Sequence, residues 1–184
     1  MDEGTQVEDG RREAVLASAL QTFARHGYRA TSMDAVAREA RISRQGLYFL
    51  FGSKEALFRE AVSRALADDL RAVEGLLADE AVPLPGRLLA AYDRWAGRWV
   101  GPLARDVPGV IDDNPELLDP SAHEAPERFQ ALVAGALAAR VDDASLVAQT
   151  LTSVSVGLKH QVGSREAYLD RLRAALRLLV PARA

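Results

Sequence analysis

The chain has 184 residues, 23 Lys and Arg against 26 Asp and Glu, a net charge of −3 and no cysteine. That length suits one compact body or two small domains with a real core, and the missing cysteines exclude disulfides, a thiol nucleophile and cysteine-ligated metal. No run of about eighteen uninterrupted apolar residues occurs, which argues against a membrane span, and the acidic, polar opening Met-Asp-Glu-Gly-Thr-Gln is unlike a secretory leader, so a cytoplasmic protein is expected.

The charge is unevenly spread. Asp2, Glu3, Glu8 and Asp9 make the first nine residues acidic. Residues 10–54 carry Arg11, Arg12, Arg25, Arg29, Arg38, Arg41, Arg44 and Lys54 against only Glu13, Asp34 and Glu39, and the remainder is again acidic. A basic module joined to an acidic body is the electrostatic footprint of a nucleic-acid reader with a second domain. Scattered arginines on a solvated helical surface would account for the same charges if no DNA-binding pattern accompanied them.

Ala, Leu, Arg and Glu dominate and strand signals are nearly absent, so the expected fold is all-α with about nine helices. Residues 1–9 read as a disordered tail. A first helix spans roughly 10–26. Thr31 and Ser32 are candidate caps for a second helix, whose buried stripe is Met33, Val36, Ala37 and Ala40. After a tight turn at Arg41-Ile42, Ser43 caps a short third helix with Leu47 and Phe51 inward; Gly52 stops it and Ser53 caps the next. Two short helices, hydroxyl caps and a close turn match a helix-turn-helix, in which the second helix reads base edges. A long helix from Lys54 to about Leu77 would link the domains. Pro83 and Pro85 break the chain before a helix from Gly86 to Val100, and Pro-rich residues 102–120 hold one short helix near Leu103–Ile111. Helices at about 121–139, 143–161 and 164–179 complete the chain. The resulting domains are a tail (1–9), a helix-turn-helix domain (10–53) and a ligand-binding and dimerisation domain (54–184).

Residues 10–60 resemble the tetracycline-repressor (TetR) family of bacterial regulators. The resemblance rests on an ordered set: the apolar helix Ala14 to Phe23 ending at Gly27-Tyr28, then Thr31-Ser32-Met33-Asp34-Ala35-Val36-Ala37, Ser43 with Gly46-Leu47-Tyr48, and Phe51-Gly52-Ser53-Lys54-Glu55-Ala56-Leu57. Two positions depart from the family pattern. Arg41 stands where the family usually has Gly, so the turn is either strained or differently formed, and the guanidinium could reach a phosphate. Leu50 stands where the family usually has His or Tyr, which removes one phosphate contact.

The candidate DNA-binding residues are Thr31, Ser32, Arg41, Ser43, Arg44, Gln45, Gly46, Tyr48 and Lys54. Arg44 pairs naturally with guanine O6/N7 and Gln45 with adenine N6/N7. Gly46 admits close backbone approach, and Tyr48 anchors a phosphate or is a core aromatic. Thr31, Ser32 and Lys54 lie at helix amino termini, where amides and the dipole favour phosphate. In the second domain Tyr92, Trp95 and Trp99 fall at i, i+3, i+7 of one helix, forming either core or, with Phe129 opposite, the wall of a pocket for an apolar or aromatic ligand. Gln149, Thr150, His160 and Gln161 are its possible polar points. The apolar width of the last two helices, including Leu151, Val154, Leu158, Leu169, Leu172 and Leu176, suggests a dimer interface or closure of the monomer's own core.

Neither ligand-spaced His pairs nor a catalytic or phosphate-loop motif is present, so no metal, cofactor or enzyme activity is expected. The favoured expectation is a homodimeric repressor that binds a palindromic operator in double-stranded DNA and is released by a small-molecule effector. The rivals are a ligand-independent regulator whose second domain only dimerises, and a helical enzyme containing a helix-turn-helix-like segment.

Overall fold

The computed structural model describes residues 3–100 and 107–180. Among these residues the chain forms nine α-helices and no strand: α1 Glu3–His26, α2 Met33–Glu39, α3 Arg44–Phe51, α4 Lys54–Ala78, α5 Leu84–Trp95, α6 Val107–Asp112, α7 Pro120–Leu137, α8 Ala144–Gln161 and α9 Arg165–Leu179. Single 3-10 turns occur at Gly97–Trp99 and Pro115–Leu117. The all-α expectation holds, with helix ends within a few residues of the sequence reading except at two places. Helix α1 already runs from Glu3, inside the stretch 1–9 expected to be a tail; residues 1 and 2 lie outside the described residues. Helix α5 stops at Trp95 rather than reaching Val100. Of the short helix expected near 103–111, residues 103–106 lie outside the described residues and the remainder is α6.

The chain divides into two compact units, Met1–Leu66 with Arg105–His123, and Ala67–Ala104 with Glu124–Ala184. The division therefore falls within α4 rather than before Lys54, and α6 groups with the amino-terminal helices. In the first unit α1 packs on α2 and α6, and α2 on α3. Its core is Val15, Ala19, Phe23, Val36, Leu47, Leu57, Phe58 and Val62. Phe23 meets Phe58 edge-on at 5.2 Å, and Tyr28 closes the cluster 4.9 Å from Phe58. Each buried Val, Leu and Phe among these contributes roughly 1.5–3 kcal/mol, enough to hold helices as short as α2 and α3 that would not persist alone.

The second unit is built on α9, which packs against both α8 and α5. Tyr92, Phe129, Leu151, Tyr168, Leu172 and Leu176 are fully buried there. Two hydroxyl pairs accompany them, one part-buried and one buried: Tyr92 Oη lies 3.1 Å from Thr152 Oγ1, and Tyr168 Oη 2.6 Å from Ser155 Oγ. Burial pushes both phenols up to about 12. Asp69, also buried, lies between Arg94 and Arg98. Desolvation still raises its carboxyl above the usual range against the pull of both guanidinium groups.

Candidate DNA-reading surface

Local sequence sets the two short helices. Ser32 Oγ accepts the Ala35 N–H at 3.2 Å, Ser43 Oγ that of Gly46 at 3.0 Å, and Ser53 Oγ that of Ala56 at 3.0 Å. Each such cap is worth about 1 kcal/mol. Between α2 and α3, Arg41 has φ 54°, the left-handed region. Its N–H donates to Arg38 O at 3.2 Å while the Ile42 N–H donates to Ala37 O at 3.0 Å. This is the Schellman pattern, with arginine at the position glycine usually occupies. The turn thus keeps its ordinary form and bears the strain.

Leu47 and Phe51 face inward, so the opposite face of α3 carries Arg44, Gln45, Tyr48 and Phe49 into solvent. Tyr48 is 40% exposed and so is not a core aromatic. The Arg44 guanidinium lies 5.6 Å from the Tyr48 ring centroid and donates to Asp34 Oδ2 at 3.1 Å. Asp34 on α2 thereby orients the arginine through one of its terminal nitrogens. At Gly46 an added Cβ would stand 3.0 Å from the capping Ser43 oxygen, so glycine also makes room for the cap.

Two of the predicted site residues are placed differently from expectation. Thr31 is only 3% exposed; its hydroxyl donates to Gly27 O at 2.8 Å, tying the α1–α2 loop rather than capping α2. Lys54 Nζ donates to Tyr28 O at 3.0 Å and Thr31 O at 3.1 Å, and lies 4.4 Å from the Tyr28 ring centroid. Its charge is committed to this loop. Tyr28 itself titrates above its ordinary value, through burial first and then the nearby Glu55 and Glu116 carboxylates. Ser32, Ser43 and Arg41 remain exposed.

Sequence reasoning missed a clamp behind α3. Arg12 pairs with both carboxylate oxygens of Glu60 at 2.6 Å, and donates to the Leu50 carbonyl at 3.1 Å. Its guanidinium also stacks over the Phe51 ring at 4.4 Å. One side chain of α1 thus holds the carboxyl end of α3 against α4. Arg12 stands in the sequence as one charge among several just before the apolar run from Ala14, and its partners lie 38 and 48 positions along the chain.

In the second unit Tyr92 packs edge-on to Phe129 at 5.1 Å and Trp95 stacks on Phe129 at 4.7 Å, so three predicted ligand-binding aromatics do meet. Trp99 does not share their helix face, because α5 ends first; it lies in the 3-10 turn with the Arg98 guanidinium 4.3 Å from its ring. Gln149, Thr150, His160 and Gln161 point outward. The inward polar groups of α8 are Thr152 and Ser155. Of the expected interface residues, Leu151, Leu158, Leu172 and Leu176 are buried within this chain, and Val154 and Leu169 are half-buried. Closure of the monomer's own core accounts for the four buried leucines. The exposed apolar residues of α8 and α9 are instead Leu146, Val156 and Leu178.

Among the described residues no group of three or more His, Asp or Glu is arranged to hold a metal ion, and no helix is long and apolar enough to cross a membrane. Residues 15–61 match the profile of the family described as "Bacterial regulatory proteins, tetR family". The HTH-type transcriptional regulator BetI of Agrobacterium fabrum is 40% identical over 65 residues, which is 35% of this chain and 31% of that relative. The chain matches about a third of the length of the curated relatives. Over the whole fold it is similar to reduced Escherichia coli NemR, at 20% identity and TM-score 0.76, covering 95% of this chain and 99% of that one. It is also similar to a transcriptional regulator from Saccharomonospora viridis in complex with choline, at 21% identity and TM-score 0.77, covering 96% and 100%. Residues 15–61 thus carry the amino-terminal domain of the tetR family of bacterial regulatory proteins.

Proposed function

We propose that the chain is a transcriptional regulator that inserts α3 into the DNA major groove and binds a palindromic operator as a homodimer. The observation that carries this reading is the outward face of α3, where Arg44, Gln45 and Tyr48 stand together on a helix fixed from behind by Arg12. Arg41, Ser32 and Ser43 at the adjoining helix ends are the phosphate contacts, alongside the amides of the α3 amino terminus. Thr31 and Lys54 contribute by holding the loop. Enrichment of one sequence, as an inverted repeat, from a random duplex pool tests the proposal; a pool that remains random would refute it.

Dimerisation assigns α8 and α9 a shared face around Leu146, Val156 and Leu178, which a single copy leaves in solvent. Val156→Glu with Leu178→Glu should yield folded monomers by sedimentation, whereas an unchanged dimer mass would move the interface elsewhere.

Release by a small apolar or aromatic effector completes the repressor reading, with the site beside Tyr92, Trp95 and Phe129. The close packing of these three rings favours a second reading, in which they are core and the domain only dimerises. Thermal-shift screening separates the two, with choline as one of the first compounds because the Saccharomonospora viridis structure contains it. A binder raises the melting temperature by mass action. Under linkage it must also bind less tightly when operator is present, by the factor by which it weakens DNA. Equal affinities with and without operator would favour the ligand-independent reading. Because α4 starts within the first unit and continues into the second, a ligand that prefers one orientation of α4 would alter half-site spacing.

A further inference from the structure

We propose that Phe49 is a base-reading residue, whose ring contacts the 5-methyl group of a thymine in the major groove. The inference rests on the DNA-binding reading above and adds a sequence preference to it. Phe49 is 89% exposed, more than any other large apolar side chain among the described residues. It follows Gln45 by one helical turn, next to Tyr48, on the face opposite buried Leu47 and Phe51. Its neighbours suit DNA better than a protein partner. Arg44 and Gln45 precede it, and Ser43 supplies the polar cap of the same helix. An aromatic ring among cationic and amide groups matches a groove that is anionic along its walls and apolar at one feature only, the thymine methyl.

The spacing gives the proposal a register. Residues 45 and 49 are about 6 Å apart along a helix axis, close to two base steps of about 3.4 Å. A thymine read by Phe49 therefore falls about two steps from the base read by Gln45, when α3 runs along the groove.

The test uses the intact protein and the best duplex enriched from a random pool. Each thymine in turn is replaced by deoxyuridine, which keeps the base pair and removes only the methyl. Binding is read by fluorescence anisotropy for wild type, Phe49→Leu and Phe49→Ala, with circular dichroism confirming folding; an exposed ring should not be needed for it. Wild type should lose about fourfold at one thymine per half-site, the scale of one methyl leaving an apolar contact. Phe49→Ala should bind the thymine duplex more weakly and no longer distinguish it from the deoxyuridine form, with Phe49→Leu in between. If Phe49→Ala keeps the wild-type ratio at every thymine, or changes only the oligomeric mass, the proposal is overturned. Failure of any sequence to enrich would instead overturn the DNA-binding reading itself, and this inference with it.

Discussion

Replacing Arg41 by glycine should stabilise the protein. At φ 54° the arginine Cβ is held against the following carbonyl, a conformation that costs an L-residue roughly 1–2 kcal/mol. Glycine removes that cost but loses about 0.5–1 kcal/mol more backbone freedom on folding. The two hydrogen bonds of the turn, Arg41 N–H to Arg38 O and Ile42 N–H to Ala37 O, involve only backbone and survive the change. The expected gain is therefore about 0.5–1 kcal/mol, or a melting temperature higher by about 2 °C for a chain of this size. Arg41→Ala keeps the Cβ and should show no gain, while Arg41→Asn, whose side chain tolerates this region, should fall between. Thermal and urea unfolding of the three variants measure the series. Equal shifts for glycine and alanine would show that the guanidinium, not the backbone angle, sets the effect. DNA binding separates the arginine's second role. If its guanidinium reaches a phosphate, glycine and alanine should both flatten the salt dependence by about one unit.

Lys54→Ala should lower stability by roughly 1.5–3 kcal/mol, because its ammonium holds the Tyr28 and Thr31 carbonyls; an unchanged urea midpoint would show that this loop needs no tie. Gly97→Ala should cost about 1–3 kcal/mol in thermal unfolding, since its Cβ would stand 2.9 Å from the buried Tyr168 ring; a wild-type melting temperature would mean the turn shifts freely. Alkaline solution should weaken the fold. Tyr92 and Tyr168 hold their protons up to about 12 against an ordinary 10, so their contribution is intact below pH 10 and disappears as pH rises towards 12. Tyr92→Phe should reduce that loss, and an equally steep decline in the variant would assign it to other groups.

Local features were the legible ones. The caps at Ser32, Ser43 and Ser53 and the glycine stop at Gly52 depend on neighbours within one turn, and all four form as the residue types suggest. Phe49 was not among the residues singled out from the sequence, although with Leu47 and Phe51 inward helical geometry turns it outward. Long-range placement was not. Helix α5 reads as continuous to Val100, yet Gly97 closes tightly on Tyr168, from a helix some seventy positions later, in the turn that follows its early end. The apolar residues of α8 and α9 form a band wide enough for a dimer, but α5 takes up part of α9's surface and four of the leucines are spent on the chain's own core. Lys54 has the position of a phosphate anchor, and only the folded loop reveals carbonyls within its reach.

The central claim, that the Arg44 and Gln45 face of α3 reads base edges, is tested most directly by the ratio of affinities for an enriched duplex and for random DNA. Arg44→Ala and Gln45→Ala should each lower that ratio by about 5- to 150-fold, the equivalent of about 1–3 kcal/mol of lost discrimination, while affinity for random DNA falls far less. Equal losses on both DNAs would contradict it.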